Sequence, residues 1–248
     1  MMQDLTPEDL LELTPEEVRT ELTAEDVHDR LLTEPEVRHI VQAYDAFWLH
    51  PGNPQRPHVE LASKRCSNGY INLRPVLRNS NLCHLFGRQL DLLIRNANVG
   101  RVDIVVGSYR AAIGLAHSVS IWLGCKFDFT RKEITPDGQT IQVWDSDQRI
   151  GTDELVLHVE ELVTTTETAR KVREGIARAH EWPIRYAPVI PVAVHRSNSA
   201  NMDGSRFLQL AHYDIADWAR EECPLCAQGS ERLQPKEGGN WARLMGEA

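Results

Sequence analysis

From about residue 102 the chain alternates short apolar runs with stretches whose apolar positions recur at helical spacing. Val102 to Val106, Cys125 to Phe129, Leu155 to Val159, Val189 to Val194 and Phe207 to Leu210 read as strands. Ala111 to Leu123 and Glu167 to His180 read as helices. In the second, Val172, Ile176 and Ala179 share one face, with Arg170, Lys171, Arg173 and Glu174 elsewhere. Ile134 to Asp147 reads as a polar loop or hairpin. This alternation predicts an α/β fold, a Rossmann-like parallel sheet with helices on both faces and ligands at the carboxyl ends of its strands. Upstream, the pattern predicts helices from about Asn81 to Asn96 and from Glu36 to about His50. The second is broken by Pro51-Gly52-Asn53-Pro54. His58 to Leu61 and Tyr70 to Leu73 read as a pair of strands around a polar turn.

Residues 1 to about 35 form an acidic arm with a repeated unit, Leu5-Thr6-Pro7-Glu8-Asp9, Leu13-Thr14-Pro15-Glu16-Glu17 and Leu22-Thr23-Ala24-Glu25-Asp26. Each Thr suits an N-cap, Pro suits the first helical position, and an acid falls in the first turn. Short capped helices are expected, loosely docked through Leu10, Leu11, Val18, Leu22, Val27 and Leu31.

Composition narrows the function. The 248 residues carry 36 acidic and 27 basic side chains, for a net charge of -9. No long basic run offers a nucleic-acid or anionic-membrane surface. No apolar stretch reaches the roughly 20 residues of a membrane span, and the polar, acidic N-terminus does not read as a secretory signal. Five cysteines, an odd and sparse set, fit a reducing cytoplasm better than a disulfide framework.

The chemistry concentrates in Val156-Leu157-His158-Val159-Glu160-Glu161-Leu162-Val163-Thr164-Thr165-Thr166-Glu167-Thr168-Ala169. An apolar strand ends in two carboxylates, followed by a hydroxyl-rich turn into a helix. A plain strand–helix junction has the same outline. However, free N–H groups at the helix start bind anions, and the carboxylates can accept from sugar hydroxyls, which together suit a sugar phosphate. The stretch resembles the V-[DE]-[DE]-V-[IV]-T-T-G-G-T signature of type I phosphoribosyltransferases. The resemblance implies that Glu160 and Glu161 hold the ribose hydroxyls of phosphoribosyl pyrophosphate (PRPP), and that Thr164, Thr165, Thr166 and Thr168 cradle its 5′-phosphate.

Further segments match in the same family's order, so the resemblance spans about Asp45 to Lys236. Val105-Val106-Gly107-Ser108-Tyr109-Arg110-Ala111-Ala112-Ile113-Gly114 is similar to the pyrophosphate loop of orotate phosphoribosyltransferases, implying PRPP contacts from Ser108, Tyr109 and Arg110. Phe127-Asp128-Phe129-Thr130-Arg131-Lys132-Glu133 resembles an F-N-R-K-E run whose cations contact PRPP, so Arg131 and Lys132 inherit that role, Lys132 a catalytic one with Glu160 and Glu161. Leu61 to Asn72 resembles the hood that covers the base, implying base contacts from Lys64, Arg65 and Tyr70. Val192-Ala193-Val194-His195-Arg196 resembles a strand end whose Arg binds the orotate carboxylate, here Arg196. Glu222-Cys223-Pro224-Leu225-Cys226-Ala227-Gln228-Gly229 looks like a C-P-L-C-x-x-G tail. A CxxC also suggests zinc, but no second CxxC or His pair stands at ligand spacing, so no metal ligands are assigned.

The resemblance thus implies a type I phosphoribosyltransferase fold over 36–248, with a small hood at about 55–75, a tail at 211–248 and the arm at 1–35. It implies a Mg²⁺-dependent homodimer that transfers ribose 5-phosphate to a nitrogenous base such as orotate. The chain departs from the family at functional positions. Thr166 and Glu167 replace the paired Gly of the phosphate loop. Ile134-Thr135-Pro136-Asp137-Gly138 replaces A-K-D-H-G, so two loop cations are gone, and Cys66 stands at the hood cation. These departures admit an alternative, a PRPP- or nucleotide-binding regulatory protein with little turnover.

Overall fold

A computed structural model describes residues 4–27 and 29–246. In chain order its elements are α1 Pro7–Glu12, α2 Pro15–Thr20, α3 Glu34–Ala43, β1 Phe47–Leu49, β2 His58–Glu60, β3 Cys66–Ser67, β4 Gly69–Ile71, α4 Arg74–Leu77, α5 Ser80–Asn96, β5 Ile104–Gly107, α6 Ala111–Leu123, β6 Lys126–Ile134 and β7 Thr140–Trp144. There follow β8 Leu155–Val163, α7 Glu167–Ala179, β9 Arg185–Tyr186, β10 Val189–His195, β11 Asn201–Met202, β12 Ser205–His212, β13 Asp217–Trp218, α8 Pro224–Ala227, β14 Arg232–Leu233 and α9 Asn240–Met245. They form two compact units. Met1–Tyr44 and Leu73–His212 make the first, and Asp45–Asn72 and Tyr213–Ala248 the second. No helix among the described residues is long and apolar enough to cross a membrane.

The first unit is built on a sheet of order β11-β12-β10-β8-β5-β6-β7, with β9 beside β8. Its central run from β12 to β6 is parallel, and β7 and β11 close the two edges antiparallel. Strands covered on both faces must be apolar throughout, and Val105, Val106, Val156, Leu157, Val159, Ile190, Val192, Ala193 and Val194 are all buried. Val172 and Ile176 of α7 pack on Ile104, Val106 and Val156. α6 lies against β5, β8 and β6, and α5 against α6, β10 and β12.

The N-terminal segment is fastened into this unit more firmly than a loosely docked arm. Thr6 and Thr14 cap α1 and α2 with full capping boxes to Asp9 and Glu17, and Pro7 and Pro15 open the helices. Leu10, Val18, Leu22 and Val27 are buried, whereas Leu11 stays exposed. Gln89 of α5 accepts from the Leu32 N–H at 2.7 Å and donates to the carbonyls of Val27 and Arg30. A buried side-chain amide with three backbone partners holds the segment in one place.

Two elements differ from the sequence expectation. The helix expected to run to His50 stops at Ala43, because Asp45 turns left-handed (φ 49°). Phe47–Leu49 then pairs with Gly69–Ile71 as strands. Aromatic and branched residues favour such a pleated, half-buried surface, and tertiary pairing overrides their helical spacing. His58–Glu60 pairs with Cys66–Ser67 and Arg232–Leu233 rather than with the strand at Tyr70. The Ser67 hydroxyl donates to the Gly69 carbonyl, bending the chain between β3 and β4.

Glu36 of α3 is fully buried. Arg30 grips it with Nη2 2.5 Å from Oε1 and Nη1 3.0 Å from Oε2, and the Thr33 N–H and hydroxyl each donate to it at 2.7 Å. Burial pushes its carboxyl up, but the bonds from Arg30 and Thr33 outweigh burial and hold it below its ordinary value of 4.5. The resulting stabilisation is complete above pH 4.5 and fades as pH falls through the depressed folded value. Arg30→Ala strands a buried carboxylate and should cost about 3–5 kcal/mol at neutral pH. Urea unfolding should show that gap at pH 7 and a smaller one below pH 4.5. An equal gap at both would remove Glu36 as its source.

Candidate active site

β5 and β8 are neighbours at the middle of the sheet, and their connections leave in opposite directions. β5 leads through α6 to β6 on one side, and β8 through α7 toward β10 on the other. The carboxyl ends of two such strands flank a topological switch point, the place where open α/β sheets bind ligands. Register sets Gly107 opposite both Val159 and Phe129, so Ser108, Glu160 and Thr130 come next at one level.

Glu160 is 2% exposed. The Ser108 hydroxyl donates to its Oε2 at 2.6 Å, and His158 Nε2 lies 2.9 Å from its Oε1. A buried carboxylate must have donors on its oxygens, and these two supply them. Gly107 makes the approach possible. A Cβ there would stand 2.7 Å from the Ala112 carbonyl oxygen and 2.8 Å from Ala116 Cβ, so a side chain would push α6 away from the strand end. Tyr109 and Arg110 complete the turn in exposed positions. Arg110 Nε donates to the Tyr109 hydroxyl at 2.7 Å, and its guanidinium lies over the Tyr109 ring.

β8 does not end before the carboxylates but runs on to Val163. Successive strand positions face opposite sides, so Glu160 shares a face with His158 while half-buried Glu161 projects from the other. Thr164, Thr165 and Thr166 form the turn into α7. The non-glycine residues with positive φ among those described are Asp4, Asp45, Lys64, Asn98 and Asp203. The turn therefore takes Thr166 and Glu167 at the expected Gly positions without left-handed backbone. Glu167 is an exposed first-turn acid that ion-pairs with Lys171 at 2.6 Å, which the helix dipole favours. Thr168 is exposed on the same first turn.

Arg131 and Lys132 do not converge. Strand β6 runs to Ile134 and forms a hairpin with β7, so the two side chains take opposite faces. Arg131 is held by Glu133 and, at 2.7 Å, by Asp145, whereas Lys132 is exposed. Arg196 follows β10 with its N–H on the Val163 carbonyl at 2.9 Å. That places it at the start of the Thr164 turn, and it is 8% exposed. Lys64, Arg65 and Tyr70 belong to the second unit. Lys64 reaches Glu60 at 3.1 Å, Arg65 pairs with Asp217 at 2.5 Å, and Tyr70 meets Trp241 edge-on.

Sequence reasoning missed His158. The i, i+2 spacing of His158 and Glu160 on one strand was the signal for it. Ser108→Ala removes a charge-assisted bond from buried Glu160 and should cost about 1.5–3 kcal/mol. Chemical unfolding at pH 7 measures this, and an unchanged midpoint would mean that Ser108 does not support the carboxylate.

No family model matches the chain. The orotate phosphoribosyltransferase of Heliobacterium modesticaldum is 31% identical over 178 residues, covering 72% of this chain and 88% of the relative. That of Pelotomaculum thermopropionicum is 30% identical over 178 residues, covering 72% and 87%. The crystal structure of orotate phosphoribosyltransferase from Aeropyrum pernix shares the fold, with a TM-score of 0.53 at 21% identity over 70% of this chain and 91% of that one. At this identity and coverage the chain belongs to the orotate phosphoribosyltransferases of the type I phosphoribosyltransferase family, and it is a pentosyltransferase.

Proposed function

We propose that this chain transfers ribose 5-phosphate from PRPP to orotate. The bond between the anomeric carbon and oxygen breaks, with its electron pair leaving on pyrophosphate. A carbon–nitrogen bond forms to the base, whose proton passes to solvent. The observation that carries this reading is the Ser108–Glu160 contact at the switch point, followed directly by the N-terminal turn of α7. Glu160 takes the ribose hydroxyls by exchanging its Ser108 and His158 contacts for them, and Glu161 joins it by turning over from the opposite face of β8. The hydroxyls and N–H groups of Thr164, Thr165, Thr166 and Thr168 take the 5′-phosphate at the helix start. Ser108, Tyr109 and Arg110 face the pyrophosphate, Lys132 meets the leaving phosphates, and Arg131 joins it only by releasing Glu133 and Asp145 and turning over from the opposite face of β6. Arg196 pairs with the carboxylate of the base.

Mg²⁺ fits this setting as an ion carried in on substrate oxygens. It binds through one or two carboxylates, waters and phosphates rather than through an all-protein cage. Among the described residues no three carboxylates converge. Glu160 and Glu161 would stand beside the ion, which when bound supplies charge neutralisation on the pyrophosphate. The working form is a homodimer, as the resemblance implies; a single-chain mass in analytical ultracentrifugation at micromolar concentration would contradict that.

One observation favours slow turnover. The hairpin tip carries Thr135 and Asp137 in place of the two cations, and the Thr135 hydroxyl closes the tip by bonding Asp137 and the Gln139 carbonyl. Each lost donor to a developing anion costs about 2.7–4 kcal/mol, roughly 10²- to 10³-fold in rate. Pyrophosphate release from PRPP with Mg²⁺ and orotate should be slow but measurable, and should vanish in the Glu160→Ala, Glu161→Ala variant. If the parent releases nothing with orotate or other bases, a non-catalytic binding protein is the better reading. Calorimetric titration with PRPP then reports whether the ligand site survives.

A further inference from the structure

The second unit gathers His58, Cys66, Cys223 and Cys226 so that their ligand atoms all lie within 4.8 Å of one another. They come from three places, with His58 on β2, Cys66 on its antiparallel partner β3, Cys223 at the N-cap of α8 and Cys226 within α8. We propose that these four side chains bind one structural Zn²⁺ in a closed tetrahedral site.

The spacing matches the ion. Zn–S bonds of about 2.3 Å and Zn–N bonds of about 2.0–2.1 Å at tetrahedral angles require S···S edges near 3.8 Å and S···N edges near 3.6 Å. Cys66 Sγ and Cys226 Sγ are 3.6 Å apart. His58 Nε2 lies 3.6 Å from Cys223 Sγ and 3.4 Å from Cys226 Sγ. A disulfide would need one sulfur pair at about 2.0 Å and would leave the imidazole and the third thiol without a reason to meet. Three soft sulfurs and one imidazole select zinc over a hard cation such as Mg²⁺.

The surroundings are those of a prepared ligand set. His58 Nδ1 lies 2.8 Å from Ser230 Oγ, and that hydroxyl gives its hydrogen to the Arg56 carbonyl at 2.7 Å. Ser230 therefore accepts from His58, which puts the proton on Nδ1 and leaves the Nε2 lone pair aimed at the sulfurs. Ligating histidines are oriented by such outer partners. The Cys226 N–H points at Cys223 Sγ at 3.4 Å. Three thiolates around a divalent ion leave one negative charge, and the Arg232 guanidinium stands close enough to Cys66 to offset it. His58 and Cys66 are fully buried, Cys223 is 2% exposed and Cys226 is half-buried, and four ligands fill a tetrahedral shell with no open position for a substrate. The role is therefore structural, tying β2 and β3 to the C-terminal segment.

The test uses the full chain purified without chelator. Elemental analysis should find about one zinc per chain. Cobalt(II) added after chelation should give the visible bands of a tetrahedral thiolate site. Cys226→Ser should lower zinc affinity at least about tenfold, and Ser230→Ala, which keeps all four ligands, about 10- to 100-fold. Cys125→Ser, outside the cluster, should bind as the parent does. A folded chain that takes up no zinc, iron in its place, a Cys66–Cys226 disulfide by mass spectrometry, or parent-like affinity in Ser230→Ala would each overturn the proposal. Should Cys226→Ser fail to fold, Ser230→Ala still decides.

Discussion

A carboxylate buried at the carboxyl ends of parallel strands needs donors before any ligand arrives, and Glu160 sets that condition for the first unit. Leaving it unpaired would cost several kcal/mol. Its demand explains why Ser108 sits where β5 ends, why His158 lies two residues upstream on the same face, and why Gly107 lets α6 come close. Binding a sugar at this place is an exchange of hydrogen bonds rather than a gain of new ones. The net energy of the exchange is small for one hydroxyl. On the proposed reading, affinity for PRPP comes from the phosphates, and the carboxylates add selectivity for a ligand whose hydroxyls replace those donors.

The same exchange logic applies to the cations. Arg131 is neutralised by Glu133 and Asp145, and Lys132 stands exposed on the other face of the hairpin. A dianion has to compete with carboxylates for Arg131. At the start of α7 the substituted residues are accommodated without conflict. Glu167 turns outward to Lys171, and the threonine turn stays within ordinary backbone conformations. The two departures from the family pattern therefore weigh differently. The start of α7 keeps its helix N-terminus, whereas the hairpin tip lacks the two cations of the family pattern.

Where the chain is regular, the sequence was easy to read. The apolar runs of β5, β8 and β10 and the α6 and α7 periodicities mark elements close to those observed, because buried parallel strands and amphipathic helices have distinct spacing. Strand ends were misjudged where polar residues continue a strand, as at Glu160–Val163 and Thr130–Ile134. Pairing continues through these polar residues, so their polarity does not mark the end of the strand. The helix that became β1 shows tertiary pairing winning over local pattern. His58 and Cys66 were invisible as partners of Cys223 and Cys226, since the pairing of β2 with β3 and the return of the C-terminal segment bring them together.

That second unit faces a problem the first does not. It is assembled from two distant stretches of chain, Asp45–Asn72 and Tyr213–Ala248, and its strands are two or three residues long. Units below about 70–80 residues seldom hold together on their apolar core alone. Its core is divided in two. One cluster centres on Trp48, Val59, Leu233 and Leu244, and the other contains Cys66, Cys223 and Leu225 with Trp218 and Cys226 packed against it. The Trp48 indole N–H donates to the Leu244 carbonyl at 2.8 Å and so ties the two stretches together in the first cluster. In the second cluster, sulfur takes the place that larger hydrocarbon side chains would fill. Thiols bury less apolar area than leucine or phenylalanine, so this half gains less from the hydrophobic effect. The proposed cross-link between β3 and α8 would act where the core is weakest and, with Cys66 and Cys226 standing 160 positions apart, would close a long stretch of chain, which is where such a link restricts the unfolded state most.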